Sequence, residues 1–397
     1  MTLSGADGEF VLKRVNWEKP VLVKASGFRR TQTNLAREEP VRISLEPFDA
    51  KGVYLSYYGV RSDTVRGRVL QLIENTSINA VVIDVKPDEG TLSFQWSIPL
   101  AEKIGSMSRP TIDDPEEFIA ELHAKGIYVI GRISVFKDNL LASKRPEWTI
   151  QSVKTGSPYA ERDKMAWMDP FRTEVWDYNI SVAKAAAEAG FDEVQFDYVR
   201  FPVNTGPTVA TYRKEYSAVN RGEAIVGFLK KAYQELLPYN VFVAADVFGI
   251  TCWYDDESGI GQPLREMSKW ADYVCPMVYP SGFTTGFMNT DEKPVAIPRE
   301  VILWSMQKAL PIVNGQHKKL RPWLQNFKDY AYDRRQFTDR EIALQIFASD
   351  EANTSGWLLW DAGNKYNHTA EALQLLETGS VSNLLNKPLI AEQKVSQ

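Results

Sequence analysis

Phe191-Asp192-Glu193-Val194-Gln195-Phe196-Asp197-Tyr198-Val199-Arg200-Phe201-Pro202 alternates acidic and amide residues with apolar and aromatic ones, from just after a Gly190 that ends an Ala-rich helix to a proline that stops the strand. A period of two puts Glu193, Gln195 and Asp197 on one face and Val194, Phe196 and Tyr198 on the other. Carboxylates turned inward and apolar residues turned outward, straight after a helix, are the pattern of a strand in an α/β barrel whose centre holds polar chemistry. Asp197 then falls near the strand's C-terminal end, where such barrels carry their reactive groups. The competing reading is an edge strand with its polar face in water; the rest of the chain argues against it.

Outward from that strand, the same alternation of strand and helix recurs along the chain. Upstream, Gly52 to Tyr58, Asn79 to Pro87 and Ile127 to Phe136 read as strands 1 to 3. Ser62-Asp63 caps a helix with Val65, Val69, Leu72 and Ile73 at helical spacing, and a second helix runs from about Asp114 to Lys125. Downstream, Val241 to Gly249, Tyr273 to Pro280, Leu320 to Phe327 and Gly356 to Asp361 read as strands 5 to 8. Helices over Glu223 to Leu237, around Val301 to Leu310, from Thr338 with its Glu341 capping box to Ala348, and near Thr369 to Thr378 fill the intervals. Eight such units in one pass predict an α/β fold, a (β/α)8 TIM barrel over residues 49–378. Residues 1–48 are expected to form an N-terminal extension or small β-rich appendage, and 379–397 a polar tail. A doubly wound open sheet fits less well, because no Gly-rich phosphate loop follows any strand.

Composition narrows the chemistry. The chain has 397 residues, 44% of them hydrophobic, and a net charge of −5 without a basic run, which argues against a nucleic-acid partner. Two cysteines, Cys252 and Cys275, exclude a disulfide framework and a Cys-rich zinc site, and three scattered histidines leave little for a His-based metal centre or a Ser-His-Asp triad. Carboxylates are left as the reactive groups, and no cofactor or metal is expected. Eleven Trp and 17 Tyr, several at predicted strand ends, offer flat faces on which sugar rings stack, although core packing competes for them. No stretch approaches ~20 apolar residues, so no membrane span is expected. Met1 to Phe10 lacks the basic and apolar regions of a signal peptide, so the chain reads as cytoplasmic or as one whose export signal has been removed.

A closed barrel would bring the strand ends into one ring: Asp84 and Lys86, Arg132, Asp197 and Arg200, Asp246, Tyr279, Gln325, and Trp360 with Asp361. Asp84 and Lys86, two apart, would share a face and either pair with each other or contact substrate. Arg132 would neutralise Asp197 or Asp84, and near Asp197 would keep that carboxylate ionised. Asp246, on the neighbouring strand, would come within reach of Asp197; an N-cap or loop tether is its plain alternative. Beside Phe248 and the Trp253-Tyr254 loop, its pKa would rise and suit it to act as an acid. Two carboxyl groups across a sugar-sized gap are the minimum equipment of a glycosidase, one protonated to donate to the leaving oxygen and one ionised to attack or activate water. The alternatives are a barrel that binds glycan without cleaving it and a metal-dependent hydrolase with Asp84, Asp197 and Asp246 as oxygen ligands.

From Gly52 to His368 the chain also resembles a family of bacterial glycoside hydrolase domains, glycosyl-hydrolase-like TIM barrels. The resemblance rests on Val82-Ile83-Asp84-Val85-Lys86, Phe191 to Pro202, Asp246-Val247-Phe248-Gly249, Pro276-Met277-Val278-Tyr279-Pro280, Arg321-Pro322-Trp323-Leu324-Gln325 and Gly356 to Asp361. It implies a barrel acting on a polysaccharide or oligosaccharide, with Asp197 where α-amylase-like barrels carry their nucleophile. Chitinase-like barrels are similar in Met277 and Tyr279, but their strand 4 ends in a glutamate where this chain has Val199. The resemblance also leads one to expect His-Tyr after Ser281, where Gly282-Phe283 stand, and Asp after Gln325, where Asn326 stands.

Overall fold

The computed structural model describes residues 2–380 except 3, 6, 7, 14, 36–40 and 204. Eight parallel strands close into a barrel in chain order: β1 (Ala50–Leu55), β2 (Ala80–Lys86), β3 (Tyr128–Ser134), β4 (Glu193–Asp197), β5 (Phe242–Phe248), β6 (Tyr273–Met277), β7 (Trp323–Gln325) and β8 (Gly356–Trp360), with β8 pairing back onto β1. The main connecting helices are α1 (Asp63–Glu74), α2 (Pro115–Ala124), α3 (Thr173–Glu188), α4 (Ala218–Leu236), α5 (Leu264–Met267), α6 (Pro298–Ile312), α7 (Asp339–Glu351) and α8 (Thr369–Glu377). This is the (β/α)8 barrel that the alternating pattern predicts.

Period two sorts each strand into two layers. Val194 and Phe196 of β4 join Val243, Ala245 and Val247 of β5 in the large core between barrel and helices. The opposite residues fill the barrel's interior, where Val82, Ile130, Ala244, Cys275, Trp323 and Leu358 pack together. The caps fall where side-chain chemistry places them. Ser62 accepts from Val65 N at 3.3 Å, and Thr338 and Glu341 form the capping box of α7.

Three expected boundaries move for local reasons. Strand 1 stops at Leu55, because the Ser56 hydroxyl accepts from Gly59 N and starts a short helix over Tyr57–Arg61. Strand 6 stops at Met277, and Pro280–Gly282 turns as a 3-10 helix. Strand 7 shrinks to Trp323–Gln325 after Pro322, which has no N–H for the ladder. Gly356 opens β8 at φ +78, with the space for a Cβ only 2.1 Å from Ala50 O. Gly356→Ala is therefore expected to cost at least ~1–2 kcal/mol from left-handed strain alone, read as a lower urea midpoint.

Beneath the barrel, Val21–Val23 pairs antiparallel with Thr31–Thr33, and the segment around them closes the N-terminal end. Lys24 Nζ reaches Asp272 Oδ2 at 2.6 Å and Val241 O at 2.7 Å, Arg30 reaches Asp192 at 3.1 Å, and Phe48 packs on Tyr128 with ring centroids 4.9 Å apart. Above that plug, Arg321 Nη1 donates to both oxygens of Glu193 at 2.9 and 2.8 Å, both side chains being fully buried, and Tyr128 donates to the same carboxylate at 3.0 Å. Of the tail expected over 379–397, residues from 381 onward lie outside the described residues.

Candidate active site

At the C-terminal ends of β2 to β4, Asp84, Arg132 and Asp197 face inward and form one connected network. Arg132 lies at its centre: Nη1 donates to Asp84 Oδ1 at 2.6 Å, while Nε and Nη2 donate to Asp197 Oδ2 at 3.0 and 2.5 Å. Tyr54 donates its phenol to Asp84, which also accepts from Tyr57 N at 3.3 Å. Burial opposes the charge on Arg132, but Asp197 and Asp84 outweigh it and raise the guanidinium's pKa. Burial raises the Asp84 carboxyl against the opposing pull of Arg132 and Tyr54.

Asp197 ends β4 and is 8% exposed. Its other oxygen, Oδ1, accepts from Tyr198 N at 2.6 Å, because Tyr198 turns into the left-handed region at φ 50. For a bulky aromatic residue that conformation costs ~1–3 kcal/mol and is retained only where the surroundings enforce it. Here the ring is held by Trp167 edge-on at 5.8 Å and by Lys137 Nζ over its face at 4.9 Å. The strained turn fixes the Asp197 carboxylate.

Asp246 lies on β5 next to Asp197. The pairing Phe196↔Ala245 makes the following residues, Asp197 and Asp246, level neighbours. The two carboxyl groups have opposite surroundings. Asp197 is bound by a guanidinium, whereas Asp246 is 1% exposed and receives the Trp323 indole N–H at 2.8 Å. Burial, and then the charge of Asp197, push the Asp246 pKa well above the ordinary carboxylate value. Burial, followed by Asp246 and Asp197, likewise raises the Tyr279 phenol.

A cavity of about 600 Å³ opens above this network, lined by Phe248, Tyr279, Phe283, Phe327, Tyr330 and Trp360 among others. Trp360 stacks on Tyr54 at 4.0 Å and lies 5.0 Å from the Arg132 guanidinium, so the aromatic wall and the charged floor are continuous. Tyr330 lies parallel to Phe327, with an interplanar angle of 2°, and is 49% exposed. A flat sugar face fits such a surface. If glycan stacks there, Tyr330→Ala should weaken binding about 2- to 12-fold, from ~0.5–1.5 kcal/mol of ring contact, measured as a rise in Kd or KM with kcat nearly constant.

The ring of strand-end residues divides. Asp84, Arg132, Asp197, Asp246, Tyr279 and Trp360 come together. Lys86 does not: a register shift between Asp84 and Lys86 turns it off the shared face, and it pairs instead with Asp138 at 2.6 Å, both side chains fully buried. Of the two roles open to Asp84 and Lys86, mutual pairing is not adopted: Asp84 pairs with Arg132 and Lys86 with Asp138. Gln325 spends its amide on Ser281 N, Ser281 Oγ and Phe327 O, at 3.0, 2.7 and 3.3 Å, and holds the loop after β6. Asp361 accepts from Gly363 N at 2.8 Å and shapes the loop after β8. Trp253 turns away, giving its indole N–H to Ser305 of α6 at 3.0 Å. Arg200 stacks on the ring of Phe248, a residue of the cavity wall, at 4.5 Å.

At the two departures from the expected pattern, Gly282 leaves part of the cavity wall without a side chain, and Asn326 accepts from Thr369 Oγ1 at 3.0 Å. Two participants escaped the sequence reading. Tyr54 carried a signal, since it shares a face with Gly52 on the inward side of strand 1. Lys137, ion-paired with Asp163, Asp88 and Glu161, carried none, because its partners come from two distant loops. Arg132 fills the space between Asp84 and Asp197, and among the described residues no group of three or more His, Cys, Asp or Glu side chains is placed to hold a metal ion. No helix among the described residues is long and apolar enough to cross a membrane.

The model of the family described as "Putative glycosyl hydrolase domain" matches residues 52–366, and the chain belongs to that family. Among solved structures, a hypothetical protein from Ruminiclostridium thermocellum is 35% identical, covering 49% of this chain and 97% of that one, at a TM-score of 0.43. The PgaB (BpsB) glycoside hydrolase domain from Bordetella bronchiseptica is 13% identical, covering 83% and 98%, at 0.56. A beta-galactosidase from the psychrophilic Marinomonas ef1 is 12% identical, covering 85% and 60%, at 0.57. The last two share the fold. No curated protein is detectably similar to the chain.

Proposed function

We propose that this member of the glycosyl hydrolase domain family hydrolyses a glycosidic bond in a polysaccharide or oligosaccharide, with Asp197 as nucleophile or base and Asp246 as acid. The observation that carries the reading is the contrast between two level carboxyl groups on adjacent strands, one tied to Arg132 and the other buried against an indole N–H. Environments that push two carboxyl groups apart assign them different roles. Asp246, with its raised pKa, holds the proton that a leaving oxygen needs. Asp197, fixed by Arg132 and by its own strained turn, is oriented to attack the anomeric carbon or to activate a water. The aromatic wall above them supplies the stacking surface for the sugars that flank the bond. The test is substitution of each carboxyl group on a glycan the protein cleaves: Asp197→Asn and Asp246→Asn should each lose turnover, and retention by both would dismiss the reading.

A second reading has its own support. With Gly282 in the cavity wall and the Asn326 side chain bonded to Thr369, two positions that would add reactive groups add none. On that reading the barrel binds glycan on its aromatic wall without cleaving it. Glycan affinity with no product from the wild type would select it.

A further inference from the structure

Four arginines of the described residues are buried. Three have a carboxylate: Arg132 has Asp84 and Asp197, Arg221 has Glu257, and Arg321 has Glu193. The fourth, Arg200, is 7% exposed and has no ion-pair partner among the described residues. Its guanidinium instead lies among three rings, 4.8 Å from Trp167, 5.4 Å from Tyr198 and 4.5 Å from Phe248. Burial lowers its pKa, whereas those of the three paired arginines are raised. A cation withdrawn from water without a counter-charge is costly, and an anion delivered by a ligand removes that cost.

The free part of the group has a shape. Nη1 donates to Phe201 O at 2.9 Å, which leaves the Nε and Nη2 edge without a partner among the described residues. Neither atom is among the described side-chain atoms that are both sealed from solvent and without a partner, so that edge keeps some access to solvent. Two parallel N–H groups on one edge of a guanidinium are the complement of a carboxylate. The position is also suitable: Arg200 follows Asp197 by three residues, and Phe248, on which it stacks, lines the cavity at the barrel mouth. Of the nearby acids, Glu161 shares its charge with Lys137 at 3.7 Å and Asp197 is bound by Arg132, so neither takes the edge.

We infer that Arg200 reads the carboxylate of an acidic sugar, so that the glycan at this mouth carries uronic acid or another carboxylated residue. The inference takes the glycan site from the proposed function but does not need cleavage. It is tested on the full chain with polygalacturonate, alginate and hyaluronan, each beside its carboxyl-reduced counterpart, and with a sulfated neutral glycan, by affinity electrophoresis and by product release. The wild type should favour at least one acidic polymer over its reduced form by about 10-fold or more, the usual scale of hydrogen bonds between charged groups. Arg200→Gln should abolish that preference, with Arg200→Lys between the two, and thermal melts report whether each variant folds. Equal treatment of acidic and reduced polymers by the wild type, no binding of any acidic polymer, stronger binding of the sulfated glycan, or a ratio unchanged in folded Arg200→Gln would overturn it. Preference in binding without product from any polymer would uphold Arg200 and reject the hydrolase reading instead.

Discussion

Asp246→Asn is expected to lower kcat/KM on a natural glycan by ~10²–10⁴-fold, the usual contribution of a positioned general acid. The loss should depend on the leaving group. An aryl glycoside whose phenol departs without protonation should be cleaved by Asp246→Asn at close to the wild-type rate, because only the proton has been removed. The pH profile supplies the second readout. Burial and the neighbouring Asp197 raise the pKa of Asp246, so the wild type should lose activity on the alkaline side as pH rises through that elevated value, and the variant should lack this limb. The sign for stability follows from the same shift. A carboxyl whose folded pKa exceeds its unfolded one favours the fold below the unfolded value and loses that contribution as pH rises through the folded one. An equal loss on natural and activated substrates, with the alkaline limb intact, would remove Asp246 from the acid's role.

Arg321→Met is the second large effect, on stability. Glu193 and Arg321 are both fully buried, and the carboxylate's remaining support is the Tyr128 phenol. Removing the guanidinium alone leaves an uncompensated charge at the centre of the barrel and should cost ~3–5 kcal/mol. Burial already raises the Glu193 pKa against the pull of Arg321, so the single variant should take up a proton there and be least destabilised at acidic pH. The double variant Glu193→Gln, Arg321→Met should recover most of the loss, because no charge remains buried. Urea melts of the three proteins across pH decide it. A single variant as stable as wild type at neutral pH would show that the pair contributes little to holding the barrel together.

Strand 4 was legible because period two is a local property. Once Glu193, Gln195 and Asp197 share a face, only a barrel gives that face an interior to point into. The neighbouring strands were legible for the same reason, and their ends needed only a Ser56 cap or a Pro322 to shift by a few residues. Lys86 was not legible. A bulge changes the face of every residue beyond it and leaves no mark in composition. Gln325 and Asp361 show a second limit: a polar residue at a strand end looks the same in sequence whether its bonds go to a ligand or to the next loop. The pair of Arg321 with Glu193, 128 residues apart, and the three acids around Lys137 exist only once the barrel has closed.

Cleavage of a glycosidic bond by the two level carboxyl groups is the proposed activity. Its most direct test is product release from a panel of bacterial and plant polysaccharides by wild type and Asp197→Asn side by side, with glycan affinity followed in parallel. The predicted result is release by the wild type from at least one polymer and a fall of about 10³-fold or more in the variant, as for loss of a group that acts only in the transition state, with affinity retained. Release that survives in Asp197→Asn, or glycan binding by both proteins without product from either, would contradict it.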